Sequence, residues 1–316
     1  MSEDEGMEEL VTEEMLWDRI PEVEGEERAS TYYELSARIY ARGQYDEALA
    51  LAETARDIYS QLGASVSSEG LAQAYSAIGY NLNQLKRMDE AATAMSKAVE
   101  ILRENKSPIA LELACTLGEW WYSSKKYDKV VETMNECAQE HLVDGNEIGA
   151  ANDLHLIGCA ERELKNYEKA IEAFKEARSL FKRNKEVIHV ARCDQKMASC
   201  LIELGEGELA LETARKAVDV FETGHDHRRE TFASFEFGKA QILLEKYDEG
   251  LATLENVLAI VSEDEPKDFE FILDIESRIA KILRMQGRAD EADEIERRLK
   301  SVQEALEDEP ERDLLN

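Results

Sequence analysis

The residues of this chain best suited to chemistry are its histidines and cysteines, and two pairs have a spacing that matters. His155 and Cys159 stand four residues apart, and so do His189 and Cys193. On a helix that separation puts both side chains on one face. Imidazole and thiolate are the ligands zinc prefers, so each pair is half of a tetrahedral site. His225-Asp226-His227 falls where a loop is expected and reads as exposed polar residues. The five cysteines (Cys115, Cys137, Cys159, Cys193 and Cys200) include no C-x-x-C pair and lie inside helical patterns. They read as reduced thiols of a cytoplasmic protein. Other chemistries lack their motifs. There is no G-x-x-x-x-G-K-[ST] loop, no G-x-G-x-x-G after a strand, no H-E-x-x-H and no G-x-S-x-G. Paired carboxylates abound, but among 69 acidic residues they carry no information and read as solvated helix faces. The expectation is a non-enzymatic chain with no catalytic residue, cofactor or metal.

The elements that would position these residues come from a repeat. A short turn followed by a small or near-small residue recurs seven times, ending at Ala48, Ala91, Val130, Ala170, Ala210, Gly250 and Ala292. Successive marks lie 43, 39, 40, 40, 40 and 42 residues apart. Such a period means stacked supersecondary units. In the second copy Ser67-Ser68-Glu69 can cap a helix. Leu71, Ala74, Tyr75, Ile78, Leu82 and Leu85 then form one apolar face, and Ala91, Ala92, Met95, Ala98, Val99 and Leu102 form another after the turn. That is a hairpin of two helices, which must bury its faces against neighbouring hairpins. Gly79, Gly118, Gly158 and Gly238 each stand twelve residues before a mark, and Ser36, Ala198 and Ala280 hold the same place. A glycine inside a helix costs about 1 kcal/mol relative to alanine. Its recurrence predicts a close helix crossing.

Charge sets the class of partner. The net charge is −31. Residues 1–27 carry −11 and residues 303–316 carry −5, so half of the excess lies in 41 terminal residues. These read as solvated acidic segments. Nucleic acid and anionic membrane surfaces are disfavoured as partners, because phosphate contacts need a basic footprint. No stretch approaches the roughly 18 apolar residues of a membrane span, and the start of the chain lacks a secretory signal pattern.

The pattern resembles the tetratricopeptide repeat, with a small residue at motif position 8, an aromatic near 17, Ala at 20, a bulky residue at 24 and Ala at 27. Gly158, Tyr167, Ala170, Phe174 and Ala177 match all five places, and Gly79, Met88, Ala91, Met95 and Ala98 follow closely. The resemblance covers residues 29–301, with a unit of about 40 residues where the family's usual one has about 34. It implies an all-α right-handed superhelix, an α-solenoid of seven hairpins, preceded by an acidic segment (1–28) and followed by an acidic tail (302–316). Leu10, Val11, Leu16, Trp17 and Ile20 are expected to form a short capping helix. The worn seventh copy, with Glu296 at a bulky position, is expected to close the other end.

The resemblance also implies a binding surface, a concave groove lined by motif positions 2, 5, 9 and 12. Those positions supply Tyr33 and Tyr40 from the first copy, Tyr80 and Asn83 from the second, and Tyr122 from the third. The later copies supply Asn152, His155 and Arg162, then Arg192 and Gln195, then Phe232, Phe235 and Lys239, then Lys281 and Arg284. The strip turns basic from the fourth copy onward, which points to an acidic protein or peptide ligand. In such an array Cys115 would stand beside His155, completing three zinc ligands with Cys159; no stoichiometric zinc is expected. The carboxylate clamp of chaperone-binding relatives is not expected, since no Asn stands at position 9. The function implied is a monomeric adaptor or scaffold. The alternative is a peptide- or ligand-responsive regulator like bacterial quorum-sensing receptors. The acidic tails either confer solubility or compete for the groove.

Overall fold

The computed structural model describes residues 12–63, 68–263 and 268–308. Leu10, Val11, Ser67 and the acidic tail residues Glu309, Glu311 and Asp313 lie outside the described residues. Among the described residues every regular element is a helix, and none is long and apolar enough to cross a membrane. The chain divides into two units, Met1–Asp144 and Gly145–Asn316. The first holds α1 (Glu13–Arg19), α2 (Gly25–Ala41), α3 (Tyr45–Leu62), α4 (Ser68–Gln84), α5 (Met88–Glu104), α6 (Ile109–Ser123) and α7 (Tyr127–Val143). The second holds α8 (Glu147–Glu163), α9 (Tyr167–Arg183), α10 (Val187–Glu203), α11 (Gly207–Thr223), α12 (His227–Leu243), α13 (Tyr247–Glu263), α14 (Phe269–Met285) and α15 (Ala289–Asp308).

The seven marks open the second helix of seven hairpins: Tyr45, Met88, Tyr127, Tyr167, Gly207, Tyr247 and Ala289 are the first residues of α3, α5, α7, α9, α11, α13 and α15. Acidic residues follow directly, as Asp46 and Glu47 do in α3, where they complement the positive end of the helix dipole. The fold class is all-α, a helical-repeat array.

The period is finer than the 40-residue mark suggests. From α7 to α13 the helices start at 127, 147, 167, 187, 207, 227 and 247, each 17 residues long. The turn within a hairpin and the turn between hairpins are the same structure. One residue goes left-handed: Lys165 at φ 61°, Lys185 at 62°, Gly205 at 77°, His225 at 54° and Glu245 at 60°. The next amide then bonds back to the carbonyl five residues earlier, as in Asn166 N to Glu161 O at 2.8 Å and Glu206 N to Leu201 O at 2.9 Å. This is the Schellman arrangement, which satisfies carbonyls that a helix end leaves open.

Packing explains the mid-helix glycines. A Cβ on Gly158 would lie 2.6 Å from the ring of Phe174, which is fully buried on the paired helix. At Gly118 the intruder is Met134, and at Gly238 it is Leu254. So at these three positions the glycine makes room mainly for the bulky residue sixteen positions on, whereas a Cβ on Gly79 would meet the Ala91 carbonyl and Trp120, each at 3.2 Å. In the first hairpin Ser36 stands in that place and donates to the Ala48 carbonyl at 2.7 Å.

The ends behave differently from the middle. In α1, Leu16 and Ile20 are buried against Leu35, Ile39, Ala48 and Leu51, while Trp17 is exposed. The helix therefore covers the first hairpin by one edge. The repeat helices overrun the expected 29–301, since α2 begins at Gly25 and α15 continues to Asp308. Residues 302–308 contain neither glycine nor proline, so nothing stops the helix.

Two substitutions test this account. Gly158→Ala forces the buried Phe174 ring to move and should cost about 1–3 kcal/mol in denaturant unfolding. Lys165→Gly relieves the left-handed strain and should gain roughly 0.5–1 kcal/mol. An unchanged midpoint in both variants would contradict the roles given to crossing and turn.

Candidate functional site

The first unit contributes aromatic residues that are largely engaged already. Tyr33 is half-buried, and burial raises its pKa above the usual phenol value. The Tyr40 hydroxyl accepts from Gln84 Nε2 at 3.2 Å and its ring meets Tyr45 edge-on at 5.3 Å. Tyr80 stands edge-on to Trp120 at 5.5 Å, and burial raises its pKa against a hydrogen bond with Thr116. Tyr122 packs on Tyr127 at 5.4 Å, and Asn83 is half-buried.

In the second unit the constant period sets the register. Residues 40 apart occupy equivalent places on α8, α10 and α12, so Asn152, Arg192 and Phe232 correspond, as do His155, Gln195 and Phe235. α10 packs against both α8 and α12. Its rotation is pinned from the other side by Asp194, which is 4% exposed and accepts from Arg178 Nε of α9 at 2.7 Å. Burial raises the Asp194 pKa, while Arg178 opposes the rise.

With α10 held this way, a cationic cluster forms on α8 and α10. His155 is held neutral, its pKa lowered from 6.5 to about 3 by burial first and then by the charges of Arg192 and Lys196, with smaller contributions from His189 and Arg162. Lys196 is itself half-buried, and its pKa is lowered by loss of solvent first and then by Arg162. Among the described residues neither Arg192 nor Lys196 forms an ion pair or a hydrogen bond. The flanks are compensated. Arg162 holds Glu163 at 2.6 Å, and Lys239, 8% exposed, holds Glu236 at 2.7 Å. Gln195 is half-buried between the two cations in sequence, and Asn152 is exposed.

Several expected groove residues have other duties. Phe235 is 5% exposed and belongs to the core with Leu251, Leu254 and Ile275; a flat anchor there is not presented to a ligand. Its ring instead carries Lys239 at 4.9 Å and Arg278 at 5.5 Å. Phe232 stays half-buried and lies 4.7 Å from Phe271. Arg284 is turned to the terminal helix, where it binds Asp293 at 2.6 Å and Glu296 at 2.7 Å, so its charge is spent inside the last hairpin. That contact also explains Glu296 at a position otherwise filled by a bulky apolar residue. Lys281 is exposed.

Of the His–Cys pairs, His155 Nδ1 lies 3.8 Å from Cys159 Sγ. Burial pushes the Cys159 thiol up, and holds Cys193 and Cys200 at about 12. His189 stacks on Phe181 at 4.8 Å and faces Glu186 at 3.4 Å.

Lys196 and Glu236 were missing from the sequence-derived groove. Both stand at motif position 6, beside the positions that the family resemblance assigns to the groove. The available signal was a charge at a place filled by Ala77, Thr116 and Leu156 in the second to fourth copies, although Glu34 also stands there in the first.

The family model of the tetratricopeptide repeat matches residues 72–105 and 154–182. No curated protein matches the chain. Among solved structures the chain is similar to a signal transduction ATPase with numerous domains that carries a tetratricopeptide repeat sensor, from Pyrococcus horikoshii. The two are 18% identical with a TM-score of 0.65, over 94% of this chain and 45% of that one. This chain therefore spans less than half the length of that protein. It is also similar to the apo form of RapI, at 15% identity and TM-score 0.58 over 89% of this chain and 99% of that one. BtubC from P. vanneervenii is 17% identical, with a TM-score of 0.59 over 70% of this chain and 92% of that one. At these identities the likeness establishes the helical-repeat fold.

The state of His155 is directly measurable. Because its folded pKa lies below the unfolded value, protons prefer the unfolded chain. Its contribution to stability is complete above about pH 6.5 and is lost as pH falls toward 3. NMR should show the His155 ring neutral from pH 8 down to 5. A titration centred near 6.5 would contradict the desolvated cluster.

Proposed function

We propose that this chain, a tetratricopeptide-repeat protein, is a non-enzymatic binding scaffold that holds an acidic segment of a protein or peptide against α8, α10 and α12. One observation carries the reading: Arg192 and Lys196 remain uncompensated in a chain of net charge −31, where acidic partners are plentiful. Removing an ammonium from water without pairing it destabilises a fold. A charge kept there at that cost fits a counter-charge supplied by a ligand. Asn152 and Gln195 can bond the backbone of an extended peptide, and the half-buried Phe232 adds a ring that loses little entropy on contact. Nucleic acid and membrane surfaces are not proposed as partners, because the overall charge repels both. We place the monomer in a reducing, cytoplasmic compartment, which suits five free cysteines of which four are buried.

A ligand-responsive regulator is the second reading. It is favoured by the likeness to a protein whose tetratricopeptide repeats are described as a sensor. A scaffold and a regulator would use the same face; a regulator would, in addition, change its own conformation once the ligand is bound.

The test is a display selection. Random peptides selected on the full chain at low salt should be enriched in Asp and Glu. Arg192→Glu should weaken a selected peptide at least tenfold, and the loss should shrink as salt rises and screens the charges. Selection of peptides without acidic residues, or equal affinity in Arg192→Glu, would refute the acidic-ligand reading.

A further inference from the structure

We propose that His155, Arg192 and Lys196 form a discrete subsite for a single oxyanion, a carboxylate or phosphoryl group carried by the ligand. The inference rests on the acidic-ligand reading and narrows it from a basic face to three side chains.

The contrast between two lysines carries the argument. Lys239 on α12 is buried and has Glu236 within 2.7 Å. Lys196 on α10 is also withdrawn from water, yet no carboxylate pairs with it among the described residues. Glu236 does act on Lys196, but its nearest cation is Lys239. Glu163, the other nearby acid, is held by Arg162 at 2.6 Å. Each of these two acids is thus ion-paired with another cation, although the buried Glu236 Oε2 makes no hydrogen bond among the described residues. Two positive charges, those of Arg192 and Lys196, are left between them.

His155 supplies a neutral donor. Cys159 Sγ lies 3.8 Å from Nδ1, and in the tautomer that accepts the thiol proton there the ring proton sits on Nε2. That nitrogen is buried and has no hydrogen-bond partner among the described residues. A buried donor without an acceptor costs free energy until one arrives. A planar guanidinium, an ammonium and an imidazole N–H together match an oxyanion, which accepts in several directions. The fully buried Phe174, edge-on to His155 at 5.4 Å, keeps that side of the site apolar and strengthens these bonds.

The experiment uses the full chain and two simple probes, inorganic phosphate and acetate, at low ionic strength. Amide signals of α8 and α10 should shift saturably with at least one probe in the millimolar range. The preferred probe tells a phosphoryl from a carboxylate source. Arg192→Gln and Lys196→Met should each weaken that binding at least tenfold, while Lys216→Gln, at an exposed position on α11, leaves it unchanged. Phosphate or acetate should also raise the unfolding midpoint of the wild type but not of Lys196→Met, which keeps the test valid if the signals overlap. No saturable shift with either probe, or unchanged affinity in Lys196→Met, would overturn the subsite. Anion binding without any acidic-peptide binding would sink the scaffold reading alone. Acidic-peptide binding with neither probe bound would sink the subsite alone.

Discussion

Each helix from α8 to α12 closes on a single left-handed residue whose successor bonds back to the carbonyl five residues earlier. That closure fixes the helix length at 17 residues and the connection at three, so equivalent side chains return every 40 residues at the same height. Because of that register Arg192 and Lys196 act on His155 of α8, and Glu236 of α12 acts on Lys196. A hairpin with a longer turn would rotate its inner helix, at about 100° per residue, and scatter the cluster. The turn is held despite a local cost, since Lys165, Lys185, His225 and Glu245 adopt a conformation that glycine accepts more readily. Packing of the hairpins offsets it, with fully buried Phe174, Phe181 and Phe221 each contributing about 1.5–3 kcal/mol relative to exposure.

Polar contacts then choose which face of α10 is presented. Asp194 is drawn to Arg178 on the outer helix, and the opposite side of α10 is left to carry Arg192, Gln195 and Lys196. The pair Lys239–Glu236 and the pair Arg162–Glu163 bound this region, so its positive charge is local although the chain is strongly acidic. In the last hairpin the same chemistry has the opposite result, because Asp293 and Glu296 neutralise Arg284 and make it part of the terminal helix contact.

Much of the architecture was legible in the sequence because it is periodic. The seven marks coincide with seven helix starts, and Gly158 and Gly118 meet bulky partners as the pattern required. The 20-residue half-period was not legible, because the left-handed position is glycine in only some turns and Lys, His or Glu in others. The binding face was read less well. Motif positions report which residues point inward, but not which are consumed by neighbours. Phe235 is drawn into the core, and Arg284 is claimed by α15, through contacts that lie far apart in sequence or across a hairpin. Lys196 escaped notice because its significance is the absence of a partner, which only the arrangement of Glu163 and Glu236 makes visible.

The claim that α10 presents the binding face can be tested by position-specific photo-crosslinking to an acidic peptide. A photoreactive side chain replacing Gln195, between the two uncompensated cations, should capture the peptide. The same group replacing Lys216, exposed on α11 and paired with Glu212 at 2.6 Å, should not. Capture from position 216 with none from 195 would contradict the account.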